Sequence, residues 1–195
     1  MVEFDSISER LYAIVRQISK ELGKQVKLDI AGGAIEIDRG VLDRVTPAFE
    51  HLLRNSVAHG IESPELRKRQ GKPAIGTITV DVKQEGNDIA VSFKDDGAGL
   101  QLEKIRQKAV QQGLVMVEEA VDVQKAAQLI FAPGFTTAAS VSDISGRGIG
   151  MDVVRTEIQS LGGHIVTTSD QGRGTTFQMV MPLTTAVTQV VMMRA

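Results

Sequence analysis

Apolar side chains recur every three to four residues in two long stretches of the chain. Residues 6–22 show this spacing and are followed by Gly23, which is typical of an amphipathic helix that ends at a glycine. Residues 38–59 show it again and end at Gly60. The predicted buried positions are Ile7, Leu11, Ile14, Val15, Ile18 and Leu22 in the first helix, and Leu42, Val45, Phe49, Leu52 or Leu53, and Val57 in the second.

Apolar and polar residues alternate in shorter stretches, as expected for strands with one buried face. The first stretch is 26–30, and the last two, 164–168 and 175–181, are joined by a turn at 172–174. Two more lie on either side of a predicted hairpin turn at 85–87. Their apolar positions are Ile78, Val80 and Val82, followed by Ile89, Val91 and Phe93.

Shorter helices complete the predicted pattern of elements. They are expected at residues 64–70, from just after Gly99 to about residue 112, just before Phe131, and at 149–161. Helices combined with mostly hairpin-joined strands predict an α/β fold. The expected architecture is a two-layer α/β sandwich, in which a mixed sheet carries its helices on one face.

A chain of 195 residues is long enough for one domain with its own core. Residues 11–183 contain the core-forming pattern and are interpreted as that domain. Residues 1–10 are interpreted as an N-terminal lead-in. Residues 184–195 form a short apolar tail without a core of its own, so we interpret them as a linker or as the start of a further domain.

Composition narrows the classes of function. The formal net charge is −2, and aromatic residues make up 4% without tryptophan, which argues against a nucleic-acid-binding surface. The absence of cysteine excludes disulfides, thiolate catalysis and zinc–sulfur sites. No apolar run approaches the roughly 20 residues of a membrane-spanning helix, and no signal peptide opens the chain. We therefore expect a cytoplasmic protein without membrane insertion.

Polar residues recur four positions apart along the second predicted helix. His51, Asn55 and His59 would share one edge of that helix, beside its buried stripe. The Asn55 amide oxygen is a hard neutral ligand suited to Mg²⁺. His51 could orient or deprotonate a nucleophile near a γ-phosphate, while Arg54 and His59 could neutralise phosphate charge. The alternative is that these side chains face solvent or bond to a neighbouring group.

An aspartate followed by glycines comes directly after a predicted strand. The Asp95 carboxylate could accept a hydrogen bond from the exocyclic amine of adenine, while Gly97 and Gly99 let the backbone approach the base. An ordinary Asp-Gly turn is the alternative. On the strand after the glycine turn at 172–174, Thr175 could place a hydroxyl under the adenine, although a strand residue needs no such role.

A glycine cluster opens the helix predicted at 149–161, so its backbone N–H groups could bind phosphates at a positive helix end. A dinucleotide-binding fingerprint would need a strand immediately before the glycines, whereas the preceding residues 136–145 are polar and loop-like. That loop suggests a mobile lid, with ordinary surface flexibility as the alternative. The candidate phosphate-binding residues here are Thr136, Thr137, Gly146, Arg147, Gly148, Ile149 and Gly150.

In this order, the motifs resemble the ATP-binding domain of the histidine-kinase, Hsp90, MutL and gyrase superfamily. Asn55 falls in its N box, 95–99 in its first glycine box, Phe131 in its F box and 146–150 in its second glycine box, with 172–175 matching the last. Within the superfamily the chain is most similar to the CheA family of chemotaxis histidine kinases, over about residues 11–183. The similar stretches are 51–56, 59–62, 71–73, 133–135 and 145–152.

The resemblance implies a Bergerat-type fold, with ATP and Mg²⁺ as cofactors. Asn55 would coordinate Mg²⁺ and Asp95 would hold adenine. His51 would lie near the γ-phosphate, where hydrolysing relatives have a glutamate, and Lys104 would reach the phosphates. CheA usually has Asp where this chain has Ala58, so one contact to His59 or to the metal site would be missing.

The resemblance also implies an activity and its partners. The chain would be the ATP-binding catalytic domain of a protein histidine kinase, which supplies the γ-phosphoryl group to a histidine on a separate phosphotransfer domain. The implied partners are that domain, the dimerisation domain and the CheW-like domain of the same kinase, an adaptor with chemoreceptors, and a response regulator. Two alternatives are a hydrolysing ATPase of the same superfamily and a catalytically weakened nucleotide-binding scaffold.

Overall fold

The computed structural model describes residues 1–135 and 150–184 of the chain. Both long amphipathic stretches are helical in it, and each predicted strand is present. The helices are α1 (Ser8–Leu22), α2 (Arg39–Asn55), α3 (Pro64–Arg69), α4 (Leu102–Gln111), α5 (Val123–Leu129) and α6 (Met151–Ser160). The strands are β1 (Val2–Glu3), β2 (Val26–Ala31), β3 (Glu36–Ile37), β4 (Gly76–Glu85), β5 (Asp88–Asp95), β6 (His164–Asp170) and β7 (Gly174–Pro182).

Five strands form one mixed sheet in the order β2-β4-β5-β7-β6. The β2–β4 pair is parallel and the other three pairs are antiparallel. In the central register Val80 lies opposite Phe93, which lies opposite Phe177. Hairpins join β4 to β5 and β6 to β7, whereas long helical connections lead from β2 to β4 and from β5 to β6.

The core lies between one face of this sheet and the helices α1, α2 and α6. The ring of Phe49 on α2 lies 5.9 Å from Phe4 and 5.1 Å from Phe93, centroid to centroid, so the helical layer and the sheet interlock there. On β4 the opposite face carries polar side chains, such as Thr79 and Asp81, that are partly exposed. The predicted sandwich with helices on one face is confirmed.

A second, smaller apolar cluster forms beside the main core. Helices α4 and α5 pack together through Ile105, Ala109, Ala126 and Leu129, and Phe135 completes the cluster. None of the helices in residues 1–135 and 150–184 is long and apolar enough to cross a membrane.

Two local features differ from the sequence prediction. Val2 in β1 pairs with Ile37 in β3, and Phe4 is fully buried, so residues predicted as a lead-in contribute to the main core. The prediction that α2 continues as an α-helix to residue 59 is wrong. Its α-helical part ends at Asn55, and Ser56–Gly60 form a wider π-helical turn that closes with a 2.8 Å hydrogen bond from Ile61 N to Ser56 O.

Candidate functional site

A cavity of about 500 Å³ lies between the end of α2, the end of β5 and helix α4. This volume is within the range of small-molecule and cofactor sites. Eight of the predicted site residues line it, namely His51, Asn55, His59, Asp95, Gly99, Lys104, Gly150 and Thr175. The predicted site residues Thr136, Thr137, Gly146, Arg147, Gly148 and Ile149 lie outside the described residues.

Asn55 is held at the cavity by its amide nitrogen. Nδ2 lies 3.3 Å from Nε2 of His51 and donates to Sδ of Met151 at 3.1 Å. Within residues 1–135 and 150–184, the amide oxygen Oδ1 has no hydrogen-bond donor. Since an amide nitrogen only donates, Nε2 of His51 is the acceptor and the ring's other nitrogen carries its proton.

His51 is electrically neutral at physiological pH. Burial lowers the pKa of its ring to about 4, and the neighbouring positive charge of Arg54 acts in the same direction, although Asp152 opposes it. A neutral ring is consistent with the role of Nε2 as acceptor from Asn55. It is also a weak proton acceptor, so orientation of a nucleophile suits His51 better than proton abstraction.

The π-helical turn brings His59 to the same cavity. The Nζ of Lys24, from the loop before β2, donates to Val57 O at 2.7 Å and to Ala58 O at 2.9 Å. The turn therefore has its carbonyl groups satisfied by a cation from outside the helix. Burial lowers the pKa of His59, and the charges of Lys24 and Lys104 lower it further.

Asp95 is a buried carboxylate at the end of β5, with 3% of its surface exposed. Its Oδ1 accepts hydrogen bonds from Gly97 N at 2.9 Å and Thr175 N at 3.4 Å, and Ser56 adds a side-chain hydrogen bond. Burial raises the pKa of this carboxyl to about 6, against the effect of those hydrogen bonds. It remains mostly ionised at pH 7 and available as an acceptor.

Glycines pack the backbone tightly around Asp95. A Cβ at Gly97 would overlap the carbonyl oxygen of Gly60, and one at Gly174 would overlap the carbonyl oxygen of Asp95. A Cβ at Gly60 would lie 3.0 Å from Asp95 Oδ2. Gly97 does not line the cavity. In this structure it lets the loop after β5 approach the π-helical turn, whereas the sequence prediction had it approach a base directly.

A comparison with models of protein families shows the family to which the chain belongs. A family model described as histidine kinase-, DNA gyrase B-, and HSP90-like ATPase matches residues 40–185. The chain belongs to this family. This match confirms the predicted ATP-binding domain. The predicted resemblance to CheA is confirmed by curated relatives of that name.

Two curated relatives show this likeness. The chain is 41% identical to chemotaxis protein CheA of Bacillus subtilis (strain 168) over 100% of its length, and 43% identical to CheA of Salmonella typhimurium over 96%. It covers 29% and 28% of those two proteins. The chain thus spans less than a third of the length of the curated relatives it matches.

Solved structures support the fold at lower sequence identity. The histidine kinase domain of the Erythrobacter litoralis EL346 blue-light activated histidine kinase matches with a TM-score of 0.53 at 14% identity, covering 94% of this chain and 66% of that one. The catalytic domain of histidine kinase ThkA matches with a TM-score of 0.52 at 19% identity, covering 94% of each chain.

Helix α4 contributes more of the cavity wall than the sequence prediction assigned to it. Besides Lys104, the side chains of Gln101, Lys108 and Gln111 line the cavity. They fall three and four residues apart, so they share one face of the helix. That spacing is the signal that would have found them. Other lining residues missing from the prediction include Ser56, Phe135, Met151 and Phe177.

Arg54 is placed differently from the other predicted catalytic residues. It does not line the cavity, although its charge influences His51. Its Nε is buried and, within the part of the chain that the structure describes, has no hydrogen-bond partner. Lys104 is exposed on α4 and lines the cavity across from the π-helical turn.

Proposed function

We propose that this domain binds Mg·ATP and supplies the γ-phosphoryl group to a histidine on a separate phosphotransfer domain, as the catalytic part of a CheA-like kinase. The observation that supports the proposal is that Asn55 and Asp95, from different elements, line one nucleotide-sized cavity. Family membership supports ATP as the nucleotide.

The end of the cavity at Asp95 suits adenine. Two backbone amides fix the orientation of this carboxylate, which leaves it lone pairs for the exocyclic amine of the base. Thr175 lies against the same carboxylate and its hydroxyl is 3.2 Å from that of Ser169. We therefore assign recognition of the base to Asp95, with Thr175 as its support.

The end of the cavity at Asn55 suits Mg²⁺ held mainly by phosphate. Residues 1–135 and 150–184 contain no cluster of three or more acidic or histidine side chains that could hold a metal. Mg²⁺ commonly takes one or two protein oxygens and completes its shell with phosphate oxygens and water. The Asn55 oxygen fits that role, and the ion would neutralise charge on the phosphates.

The charges around the cavity favour transfer to histidine over hydrolysis. Among the described residues that line it, Asp95 is the only carboxylate, and it lies at the proposed adenine end. His51, which stands where the resemblance places a glutamate in hydrolysing relatives, is neutral and only a weak base for activating water. In the proposed reaction, a ring nitrogen of the acceptor histidine bonds to the γ-phosphorus while the bond to the β,γ-bridging oxygen breaks, which releases ADP.

We assign catalysis to positioning and charge neutralisation. His59 and Lys104 would approach the phosphates from opposite walls of the cavity, and His51 would orient Asn55. The remaining partners follow from the likeness to CheA, of which this chain covers under a third. They are a phosphotransfer domain, a dimerisation domain, a CheW-like domain, a response regulator and an adaptor with chemoreceptors.

Calorimetric titration with a non-hydrolysable ATP analogue, with and without Mg²⁺, tests the proposal. We expect saturable binding that Mg²⁺ strengthens and that Asp95→Asn weakens. A second assay adds a separate histidine phosphotransfer domain and labelled ATP, and label should appear on that domain. Absence of nucleotide binding, or rapid release of phosphate without an acceptor domain, would contradict the proposed kinase function.

A further inference from the structure

Four charged side chains form a cluster behind the loop that follows Asp95. Arg67 on α3 is buried, with 1% of its side chain exposed, and its Nη1 donates to Glu62 Oε1 at 2.9 Å. Its Nη2 lies 3.2 Å from Asp96 Oδ2. Lys72 lies 2.6 Å from the other oxygen of Glu62. Two positive and two negative groups therefore balance one another in a largely buried setting.

Both cations of this cluster also bind the backbone of the loop. Arg67 Nη1 donates to Asp96 O at 3.1 Å. Lys72 Nζ donates to Gly97 O at 3.0 Å and to Asp96 O at 3.3 Å. These carbonyls belong to the two residues directly after Asp95, and Gly97 is the residue whose N–H orients the Asp95 carboxylate. The cluster therefore holds the loop from the side opposite the cavity.

The cluster also reaches the π-helical turn. Glu62 follows that turn by two residues, and Ala98 N donates to Gly60 O at 2.9 Å, which links the turn to the loop. Lys72 is fixed in turn by its neighbours, because Arg67 Nε donates to Pro73 O at 2.7 Å and Lys72 N donates to Arg67 O at 2.8 Å.

We propose that Lys72 and Arg67 are positioning residues for nucleotide binding, which hold the loop after β5 against the π-helical turn so that the Asp95 carboxylate is fixed before a base arrives. This inference rests on the proposed function. It gives a physical role to two stretches of the sequence, 59–62 and 71–73, which the nucleotide site itself does not use except through His59 and Gly60.

The charges in the cluster support a strong attachment of Lys72 to Glu62 and to the loop. Burial opposes the charge of Glu62, yet the hydrogen bond from Lys72 holds the pKa of this carboxyl below its ordinary value. Glu62 therefore stays ionised and keeps Lys72 in place, and the three donors of the Lys72 ammonium group are shared among Glu62 and two backbone carbonyls.

The test compares Lys72→Met with the double variant Glu62→Gln/Lys72→Met and with Lys83→Met, an exposed lysine on β4. Two measurements are made on the 195-residue chain. Exchange of the backbone amides of Gly97 and Ala98 is followed by NMR without ligand, relative to amides of β7, and the Kd for ADP is measured by calorimetry.

We expect Lys72→Met to speed exchange at Gly97 and Ala98 and to weaken ADP binding, each by about tenfold, while Lys83→Met changes neither. In Lys72→Met, Oε2 of Glu62 loses its partner while Oε1 keeps Arg67. The double variant removes this partly compensated charge but does not restore the contacts to the loop, so it should regain thermal stability without regaining ADP affinity.

Unchanged exchange and unchanged ADP affinity in Lys72→Met would overturn the inference. Full recovery of both in the double variant would overturn it as well, since the role of Lys72 would then be limited to pairing with Glu62. Failure of the unmodified chain to bind ADP would instead count against the proposed function, and the exchange measurement would still decide the role of the loop contacts.

Discussion

The side-chain nitrogen of Asn55 lies 3.3 Å from Nε2 of His51, one helical turn earlier on α2. This contact turns the amide so that its nitrogen is occupied and its oxygen is left for a ligand. We predict that Asn55→Ala removes most of the Mg²⁺-dependent part of the rise in melting temperature that an ATP analogue produces, because that oxygen is the proposed metal ligand.

Asn87→Ala, in the exposed turn between β4 and β5, is the matched control and should keep the full Mg²⁺-dependent shift. The thermal shift of both variants, measured with and without Mg²⁺, shows whether the loss is specific to Asn55. An undiminished Mg²⁺ effect in Asn55→Ala would remove the metal assignment from this residue.

Burial lowers the pKa of His51 and raises that of Asp95, so the two groups make the stability depend on pH in opposite directions. The pKa of His51 falls from 6.5 to about 4, so unfolding takes up a proton between these values and stability rises with pH. The pKa of Asp95 rises from 3.8 to about 6, so unfolding releases a proton there and stability falls as pH rises. From about pH 4 to 6 the two contributions offset each other.

Single variants should separate these two contributions. In Asp95→Asn, the free energy of unfolding should increase from pH 4 to 6.5 by about 3 kcal/mol more than in the unmodified chain. In His51→Gln it should decrease from pH 4 to 6, relative to the unmodified chain, by a similar amount. Urea unfolding at several pH values measures both slopes, and identical slopes in all three chains would contradict the assignment.

Gly97 has no room for a side chain, since a Cβ would overlap the carbonyl oxygen of Gly60. We predict that Gly97→Ala costs about 2–3 kcal/mol of stability, because the backbone must move apart to accept the methyl group. It should also abolish measurable ADP binding, since Gly97 N orients the Asp95 carboxylate.

Gly113→Ala provides the comparison for backbone strain alone. Gly113 has φ +73° with open space around its Cα, so the change should cost about 1 kcal/mol and leave ADP binding intact. Urea unfolding and calorimetry on both variants test this pair. Equal losses of affinity in the two would show that close packing at Gly97 is unimportant.

Lys24 donates to two carbonyls of the π-helical turn, and its charge lowers the pKa of His59. We predict that Lys24→Met raises the pKa of His59, as measured by NMR titration of its ring, and costs about 1–2 kcal/mol of stability through the lost hydrogen bonds. Lys20→Met, on the exposed side of α1, should leave the titration of His59 unchanged. An unaltered titration in Lys24→Met would contradict this contact.

The chain alone should not phosphorylate itself. It contains three histidines, of which His51 and His59 line the cavity, while His164 begins β6. Incubation with γ-labelled ATP should therefore leave this chain unlabelled. When a separate phosphotransfer domain is added, the label should appear on that domain. Acid-labile label on this chain would show that one of the three histidines is an acceptor.

The fold could be predicted well from sequence because its strands and long helices show clear periods. Ile78, Val80 and Val82 alternate with polar residues, and each lies in the core. The β1–β3 pair was missed because two residues per strand are too few to show an alternation. The π-helical turn was missed because its apolar residue, Val57, continues the stripe of α2 and is buried.

The site could be predicted in part, for a similar reason. Asn55 and Asp95 carry chemistry in their residue types, and they do line one cavity. Arg67 was part of a segment predicted only as a short helix, yet it is almost fully buried. Nothing in its spacing shows this burial, because its partner Asp96 comes from a distant segment that only the tertiary structure brings to it.

The π-helical turn makes the length of the segment between Asn55 and Glu62 a strict requirement. Shortening it by one residue would restore ordinary α-helical winding, and everything after the cut would rotate by about 100°. Gly60 would then move away from Asp95, and the hydrogen bond from Ala98 N to Gly60 O that links the turn to the loop would be lost. Insertions and deletions here should therefore be far less tolerated than substitutions.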